Sequence, residues 1–418
     1  GTSEFSAILK GVTLAGTVFE DINYGGGAGR DPTTSSGVGV NGATVELYDN
    51  TGAFVASTTT ANDGTNDGAY AFDSVVAGDY YVRVVNDTVD SPRAGSDGSE
   101  LAVQTFRTDG TTAVTNEVGG RNPAVADGAV YSGASPSTLN TSTFVFSAGA
   151  LDAQIAQSVT PVTVVAADIN GIDFGFNYST IVNTNDSGQG SLRQYALNNA
   201  ILDNTVLNQD LPAAIAGDYG AADNVSIFMI PVSELTGGEA IITIDSTVEI
   251  DGDRTDIDGR TQTLNQGSGT IVVNSADPTV GDWEGLQFNS TADNSVVRNI
   301  TVRDIGGVGV VAFGNSADAV ENLLVQENTL HHNGYASTAK PGFRGYYTNN
   351  STIHNNVMTD NSSYGVVMFL DSDGNSITNN TMSEFDSIVT TTRSNIFAIG
   401  TECHRLYPTK YYRIIMTY

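Results

Sequence analysis

A short phrase recurs four times between Asn294 and Phe385, near the C-terminal end of the sequence. The copies align on four apolar residues that are 23, 28 and 24 positions apart: Val302, Val325, Ile353 and Ile377. Self-similarity with a period of about twenty to thirty residues is typical of a solenoid, because one repeat cannot bury its own apolar face whereas a stack of repeats can. This repeat constrains the fold more than any other feature of the chain.

The composition of the repeat predicts which solenoid forms. Each copy is rich in Val, Ile, Thr and Asn, and none contains the runs of Ala, Leu, Glu and Lys that form paired helices. Asn tolerates left-handed corners and can hydrogen-bond to its copy in the next repeat. The alignment predicts one column with Asp304, Glu327, Asn355 and Asn379, and a second with Ile305, Asn328, Asn356 and Asn380. We therefore predict a parallel β-helix.

With these residues, the repeat resembles the right-handed β-helices of pectate lyases, polygalacturonases, mannuronan epimerases and many bacterial surface proteins. The resemblance implies a right-handed parallel β-helix over residues 179–392. It implies no particular reaction, because one fold supports many activities. The sequence has no complete pectate-lyase or epimerase signature and no triple-acid cluster of the polygalacturonase kind.

One α-helix is predicted at the start of this region, over residues 191–202. Ser191 is suited to cap its N-terminus. Five apolar residues are predicted to share one helical face: Leu192, Ala196, Leu197, Ala200 and Ile201. Such a helix would cover the open end of the stack, whose strand edges would otherwise pair with other chains.

The N-terminal part of the sequence, residues 11–178, predicts an antiparallel β-sandwich. Short runs with period-two alternation are separated by Gly, Asn and Asp. Four phrases resemble the B-type domains of Gram-positive surface adhesins: GTVFEDINYGG (16–26), GATVELYDNTG (42–52), DGTNDGAYAFDSVVAGDYYVRV (63–84) and GIDFGFNY (171–178). Residues 87–160 depart from that pattern and are interpreted as an insertion.

Acidic loops bind calcium in the adhesin domains, so the resemblance implies a Ca²⁺ cofactor. Hard oxygen ligands on adjacent turns suit this ion. The matching candidates here are Glu20, Asp21, Asn23, Asp63, Asn66 and Asp67. The alternative is that Asp, Asn and Gly are present only because turns favour them.

The charge balance excludes some partners. Asp and Glu number 47 against 17 Lys and Arg, a formal net charge of −30, whereas nucleic acids and anionic membranes require a basic surface. No stretch is apolar for long enough to insert into a membrane. The single Cys excludes an internal disulfide framework. We expect a monomeric bacterial protein that is secreted or attached to the cell surface.

Both ends of the sequence differ from the rest. Residues 1–10 begin with GTSEF, which reads as a cloning scar followed by a leader strand. Residues 393–418 ignore the repeat pattern and contain the only Cys, Cys403, together with several basic residues. We expect this tail to be non-native.

Two polar columns are candidates for catalysis. Equivalent positions on successive coils lie about 4.8 Å apart, so Asp304 and Glu327 are predicted to stack as a carboxylate pair. Repulsion would raise the pKa of one of them, as a general acid requires. The second column, five positions further along, contains His332, Asp360 and Glu384.

A long loop is predicted beside these columns, over residues 334–350. Aromatic rings there would stack on sugars, and a cation would neutralise a uronate or act as a base. The candidates are Tyr335, Lys340, Arg344, Tyr346 and Tyr347, with Trp283 extending the groove. The alternative is that outward positions are polar in any solenoid of so acidic a chain.

Two classes of function follow. The first is a carbohydrate-active enzyme that cleaves glycosidic bonds of an extracellular polysaccharide, by hydrolysis or elimination. The second is a non-enzymatic surface or matrix protein, with a calcium-stiffened spacer and a β-helix that serves as a stalk or binding surface. The aromatic loop favours the first class, and the adhesin-like domain favours the second.

Overall fold

The computed structural model describes residues 11–110, 113–114, 118–125, 156–336 and 340–382, and two further strands at 388–391 and 396–399. Glu384, residues 1–10 and most of the predicted tail lie outside the described residues. The chain divides into two compact units, Gly1–Tyr178 and Ser179–Tyr418.

The described part of the first unit contains ten strands. They are β1 (Val12–Glu20), β2 (Val38–Gly39), β3 (Thr44–Asp49), β4 (Phe54–Thr59), β5 (Ala69–Val75), β6 (Gly78–Val84), β7 (Val103–Thr108), β8 (Ala113–Val114), β9 (Val159–Val164) and β10 (Phe174–Asn177). One sheet has the order β2-β1-β10-β7-β8 with β5 also paired to β1, and the other has the order β4-β3-β6-β9. The predicted N-terminal sandwich is confirmed.

Alternation explains why these strands form two sheets around one core. Side chains that point inward are apolar and buried, as Val45 and Leu47 are on β3. The largest buried rings include Phe19, Phe174 and Phe176. Strand β7 lies within the segment that the sequence analysis treated as an insertion, yet it pairs with β10 in the first sheet.

Over the residues that the structure describes, the second unit contains twenty-three strands and two α-helices. In chain order the strands are β11 (Thr180–Ile181), β12 (Asn224–Val225), β13 (Ile227–Phe228), β14 (Glu239–Ile244), β15 (Val248–Ile250), β16 (Thr255–Asp258), β17 (Thr270–Ser275), β18 (Leu286–Asn289), β19 (Val296–Arg298), β20 (Thr301–Arg303), β21 (Val310–Phe313), β22 (Val320–Glu321), β23 (Leu324–Gln326), β24 (Thr329–His331), β25 (Phe343–Tyr346), β26 (Thr348–Asn349), β27 (Thr352–His354), β28 (Val357–Thr359), β29 (Val366–Phe369), β30 (Asn375–Thr378), β31 (Thr381–Met382), β32 (Ile388–Thr391) and β33 (Ile396–Ile399). The helices are α1 (Leu192–Ile201) and α2 (Arg260–Gln266).

Three parallel sheets make the faces of a β-helix, as predicted. The first sheet has the order β12-β16-β19-β23-β27-β30-β33, the second β14-β17-β20-β24-β28-β31, and the third β15-β18-β21-β25-β29-β32. Each coil contributes one strand to each sheet in turn. Inward columns of Val, Ile, Leu, Met and Phe form one continuous core along the stack.

The predicted register was wrong for one coil. In the first sheet Val325 pairs with Val297, and Ile353 and Ile377 follow in the same column. Val302 belongs to the second sheet, where it pairs with Leu330. The phrases VRNI (297–300) and VRDI (302–305) are five residues apart and resemble each other. The sequence alignment placed VRDI in the column of Val325, whereas in the structure VRNI occupies that column.

Asparagine ladders occupy two interior corners. Asn328 Nδ2 donates to Asn356 Oδ1, and Asn356 Nδ2 donates to Asn380 Oδ1. A second ladder joins Asn333 to Asn361. These side chains are buried, and each also satisfies backbone groups that the turn leaves unpaired. The predicted ladder of Asn residues is therefore present.

Helix α1 begins where predicted. Ser191 caps it by accepting a hydrogen bond from the Gln194 backbone N–H. Leu192 and Ala196 are buried in the core of the β-helix, together with Tyr195. The predicted apolar face is wrong in part, because Leu197 and Ala200 are exposed.

Candidate functional site

Three polar residues follow directly after successive strands of the second sheet, at its corner with the third. Asp304 follows β20, His332 follows β24 and Asp360 follows β28. Their φ angles are 56°, 55° and 56°, a left-handed conformation that Asp, Asn and His adopt more readily than most residues. We call these three residues the corner column.

Asp304 and His332 are in direct contact. Asp304 Oδ1 lies 2.6 Å from His332 Nδ1, and the side chains are 31% and 43% exposed. A carboxylate that is hydrogen-bonded to Nδ1 fixes the orientation of the imidazole ring. The other ring nitrogen, Nε2, is then available to exchange a proton with another group. The geometry is that of an oriented general base.

The Tyr335 ring covers the histidine. Its centroid lies 4.4 Å from that of His332, with an interplanar angle of 32°. The Tyr335 hydroxyl donates to the Asp360 carbonyl oxygen over 2.7 Å. Tyr335 therefore connects two successive members of the corner column.

The two acids of the corner column are two coils apart. With about 4.8 Å per coil, their backbones are separated by roughly 9.6 Å. Carboxyl groups roughly 6.5–9.5 Å apart are typical of inverting glycosidases, in which a water molecule fits between acid and base. Glu384, the next predicted member, lies outside the described residues.

The predicted pairing of Asp304 with Glu327 is wrong. Glu327 follows β23 of the first sheet and shares a column with Asn299 and Asn355. Its carboxylate lies 3.8 Å from Arg298 and accepts a hydrogen bond from Gln326. The misalignment of one coil by five residues caused this error.

A second group of charges occupies the same corner. Lys340 Nζ lies 3.0 Å from Asp282 and 3.9 Å from Glu284. Burial raises the pKa of Glu284, whereas the Val308 N–H and the cations Lys340 and Arg344 lower it. The sequence analysis assigned no role to Glu284. Trp283 itself packs against the core of the β-helix, partly buried.

The predicted loop 334–350 is not one loop. Six positions separate Asp304 from Val310, but eleven separate His332 from Phe343, so the extra residues lie before β25. Arg344 and Tyr346 are outward residues of β25 itself, and Tyr347 follows it with a φ of 44°. Tyr335 and Lys340 belong to the extra segment.

Sequence analysis missed two aromatic residues beside Tyr346. Phe313 and Phe369 occupy the same register position on the neighbouring strands of the third sheet. Phe313, Tyr346 and Phe369 are each the last residue of their strand. An alignment in the correct register would therefore have placed the three aromatic residues in one column.

In the first unit, Glu20 and Asp21 lie in a buried ionic cluster. Glu20 pairs with Arg93 over 2.9 Å, and Asp21 pairs with Arg30 over 2.7 Å. Burial raises the pKa of Asp21 to about 6, although Arg30 opposes this shift. Asp21 Oδ2 and Asn23 Oδ1 are buried and receive no hydrogen bond from the described residues. Such unpaired hard oxygens fit a calcium ion.

In the turn around Asp63, the carboxylate oxygens already accept hydrogen bonds from nearby residues. Asp63 Oδ1 accepts from the backbone N–H groups of Thr65 and Asn66. Asp67 Oδ1 accepts from the side-chain amides of Asn41 and Asn62. Because these hydrogen bonds stabilise the turn, turn formation is sufficient to explain why Asp and Asn occur at these positions. Within the described part of the chain, no group of three or more His, Cys, Asp or Glu side chains is arranged to hold a metal ion.

Comparisons with known families match both units. The model for the SdrD B-like domain matches residues 12–129, and the model for the right-handed beta helix region matches residues 284–404. The chain joins an SdrD B-like domain to a right-handed β-helix. The predicted resemblance and fold class are thereby confirmed.

Comparisons with whole proteins add little. No curated protein matches the chain. A solved structure, "Crystal structure of Agl-KA catalytic domain", aligns with 94% of this chain and 67% of its own length, at 12% identity and a TM-score of 0.25. So weak a superposition supports no argument about activity.

The right-handed β-helix is compatible with a carbohydrate-active function, and the SdrD B-like domain indicates a bacterial surface protein. In the ranges that the structure describes, neither helix is long and apolar enough to cross a membrane.

Proposed function

We propose that this chain is an extracellular, carbohydrate-active protein whose β-helix cleaves glycosidic bonds of a polysaccharide. The observation that supports this most strongly is the contact of His332 with Asp304, with Asp360 next in the same column. An oriented base one coil from a carboxylic acid serves either reaction class. It activates water in hydrolysis, or removes the proton beside a uronate carboxyl group in elimination.

Each residue of the corner has a role in this proposal. His332 acts as the base through Nε2, and Asp304 orients it. Asp360 protonates the leaving oxygen. Tyr335 presents an exposed ring to the sugar, and Lys340 holds the carboxylates of Asp282 and Glu284 at the edge of the site.

The test is incubation of the purified chain with a panel of neutral and acidic polysaccharides. New reducing ends and the ultraviolet absorbance of unsaturated uronides are followed together. Reducing ends without absorbance indicate hydrolysis, and both signals indicate elimination. The absence of both signals on every substrate contradicts the proposal.

A second candidate is a surface protein that binds without cleaving. The match of residues 12–129 to the SdrD B-like domain favours it. In that case the corner column is only the polar exterior of a solenoid, and the SdrD B-like unit serves as a spacer. Binding of a polysaccharide without new reducing ends would select this candidate.

Under either candidate function, we propose that a calcium ion binds to the first unit and stiffens it. Asp21 Oδ2 and Asn23 Oδ1 would hold it, since these buried oxygens receive no hydrogen bond from the described residues, with Glu20 adjacent. A bound ion cross-links the loops and supplies no chemistry to the corner column. We expect chelation to remove roughly 3 kcal/mol of stability when free calcium had been a hundred times Kd.

Thermal unfolding with and without chelator measures this effect. Asp21→Asn should abolish the response to chelator, whereas Asp63→Asn should retain it. An unchanged melting temperature of the wild type on chelation contradicts a calcium site, and loss of the response in Asp63→Asn alone would place the ion at the Asp63 turn.

A further inference from the structure

The segment between α1 and β12, residues 202–223, is fastened to the end strand of the first sheet. Gln209 pairs with the outer edge of β12 through both ends of its amide. Its Oε1 accepts from the Val225 N–H over 2.8 Å, and its Nε2 donates to the Val225 carbonyl over 2.9 Å. The side chain thereby takes the place of a neighbouring strand and protects that edge. We call residues 202–223 the strap.

Polar side chains also fix the strap across the outer side of this sheet. Asp218 pairs with Arg260 and with Arg298, at 2.8 Å each. The Tyr219 hydroxyl donates to Asp258 Oδ2 over 2.6 Å. Because Asp258 lies on β16 and Arg298 lies on β19, the strap crosses the first three strands of the sheet.

A buried carboxyl group without a partner lies in this covered part of the sheet. Asp256 on β16 is the register partner of Val225 on β12 and of Val296 on β19. It points outward because its neighbour Ile257 lies in the core, yet it is only 1% exposed. Neither Oδ1 nor Oδ2 accepts a hydrogen bond from the described residues. An ionised carboxylate here would lose its hydration without compensation.

The arginines in this region are already neutralised without Asp256. Each of the three arginines that fix the strap pairs with another carboxylate: Arg254 with Asp223, Arg260 with Asp258, and Arg298 with Asp218. Arg254 also lies 3.4 Å from the exposed Asp253. Ionisation of Asp256 would therefore add a buried negative charge that no cation balances, in an already acidic region.

Groups on every neighbouring element influence this carboxyl group. Burial raises the pKa of Asp256 well above its usual range, and repulsion from Asp223 and Asp258 adds to the shift, whereas the Val296 N–H and Arg254 oppose it. Two phenols also lie near Asp256, Tyr219 of the strap and Tyr195 of α1. The flanking strands contribute Val225 and Val296, which do not titrate.

The sign of the pH effect follows from this raised pKa. An unfolded or opened Asp256 loses its proton above about pH 4, whereas the buried group keeps it to higher pH. The closed strap therefore binds one proton more than the open strap in this window. The stability of the closed form is greatest below about pH 4 and decreases as the pH rises towards the pKa of the buried group.

We infer that Asp256 is a pH-sensitive release for the strap, which stays closed while this carboxyl group is protonated and opens when the proton is lost to solvent. Opening hydrates the carboxylate and frees the Val225 N–H and carbonyl at the edge of β12. This device is independent of the proposed function, since it concerns the entrance of the stack and not the corner column.

The test is hydrogen exchange of the full chain, measured by mass spectrometry on peptides within residues 205–225 between about pH 5 and pH 9. Asp256→Asn is the test variant, because it keeps the shape of the side chain and cannot ionise. Asp210→Asn is the matched control, because Asp210 is an exposed acid of the same strap. Each exchange rate of the wild type is divided by that of Asp256→Asn at the same pH, which cancels the intrinsic pH dependence.

We expect this ratio to rise up to about tenfold per unit of pH, because opening releases one proton, and to level off above the pKa of the buried group. Peptides from β24 and β28 should give a ratio that does not change with pH. Asp210→Asn should exchange as the wild type does. Infrared difference spectra between the wild type and Asp256→Asn at about pH 6 should contain the C=O band of a protonated carboxyl group.

Four results would overturn the inference. They are a ratio that does not depend on pH, an equal rise in the β24 and β28 peptides, the same effect in Asp210→Asn as in Asp256→Asn, and a carboxylate band in place of the protonated one. If Asp256→Asn does not fold, the strap rates of the wild type are divided by those of its β24 peptides. A pH-independent ratio there would reject the release equally.

Discussion

Replacing His332 by Asn is expected to lower the rate of glycosidic cleavage at least about a hundredfold, since a positioned general base contributes roughly 10²–10⁴. Asn tolerates the left-handed backbone at this position, where φ is 55°, so the substitution tests the imidazole and not the turn. The 43% exposure of the side chain predicts little change in melting temperature. Initial rates on the best substrate of the panel measure the effect.

His354→Asn is the matched control. His354 is a partly exposed histidine of the first sheet, and its Nδ1 contacts Thr378 Oγ1 at 2.7 Å. Glu327→Gln is the control for an acid outside the corner column. Both controls should cleave at the rate of the wild type. Equal rates in His332→Asn and the wild type would remove the corner column from catalysis.

Replacing Asn356 by Ala is expected to destabilise the β-helix by about 3–5 kcal/mol. Its buried Oδ1 accepts from the backbone N–H and the Nδ2 of Asn328, at 3.0 and 3.1 Å. Its Nδ2 donates to the Val325 carbonyl at 2.9 Å. Alanine would leave these groups without partners and without water. Denaturant unfolding monitored on the second unit measures the loss.

Thr381→Ala is the control for this prediction, because Thr381 lies on the neighbouring strand β31 with an exposed side chain. Its effect should stay within about 0.5 kcal/mol. If Asn356→Ala costs no more than the control, the ladder is a consequence of the turn and not a source of stability.

The solenoid was predictable because its signal is repeated. A buried Val or Ile returns in every coil, and each Asn that forms a ladder must return with it, so the pattern is visible without knowing any contact. The sandwich was predictable for a similar reason, since period-two alternation determines which side of each strand is buried. Single features gave less reliable predictions. Leu197 was placed on the buried face of α1, but it is exposed, because the position of the stack decides which face of the helix is covered.

The candidate site was predictable only in part. His332 and Asp360 were assigned to one column from the sequence, and their positions in the fold agree. Asp304 was assigned to the wrong column because two similar phrases in one coil offered two alignments. The β-strand pairing of Val297 with Val325 resolves that ambiguity, and it brings Asp304 beside His332.

The sequence by itself therefore determined the two architectures and their order. Both follow from a local periodicity of apolar residues that recurs in every repeat of the β-helix and in every strand of the sandwich. Only the tertiary structure decided which polar residues meet. Side chains on successive coils are about 4.8 Å apart in space but 24 or 28 residues apart in sequence, and an error of five residues exchanges one column for another. The contact of Asp304 with His332 and the shared column of Phe313, Tyr346 and Phe369 both depend on that register.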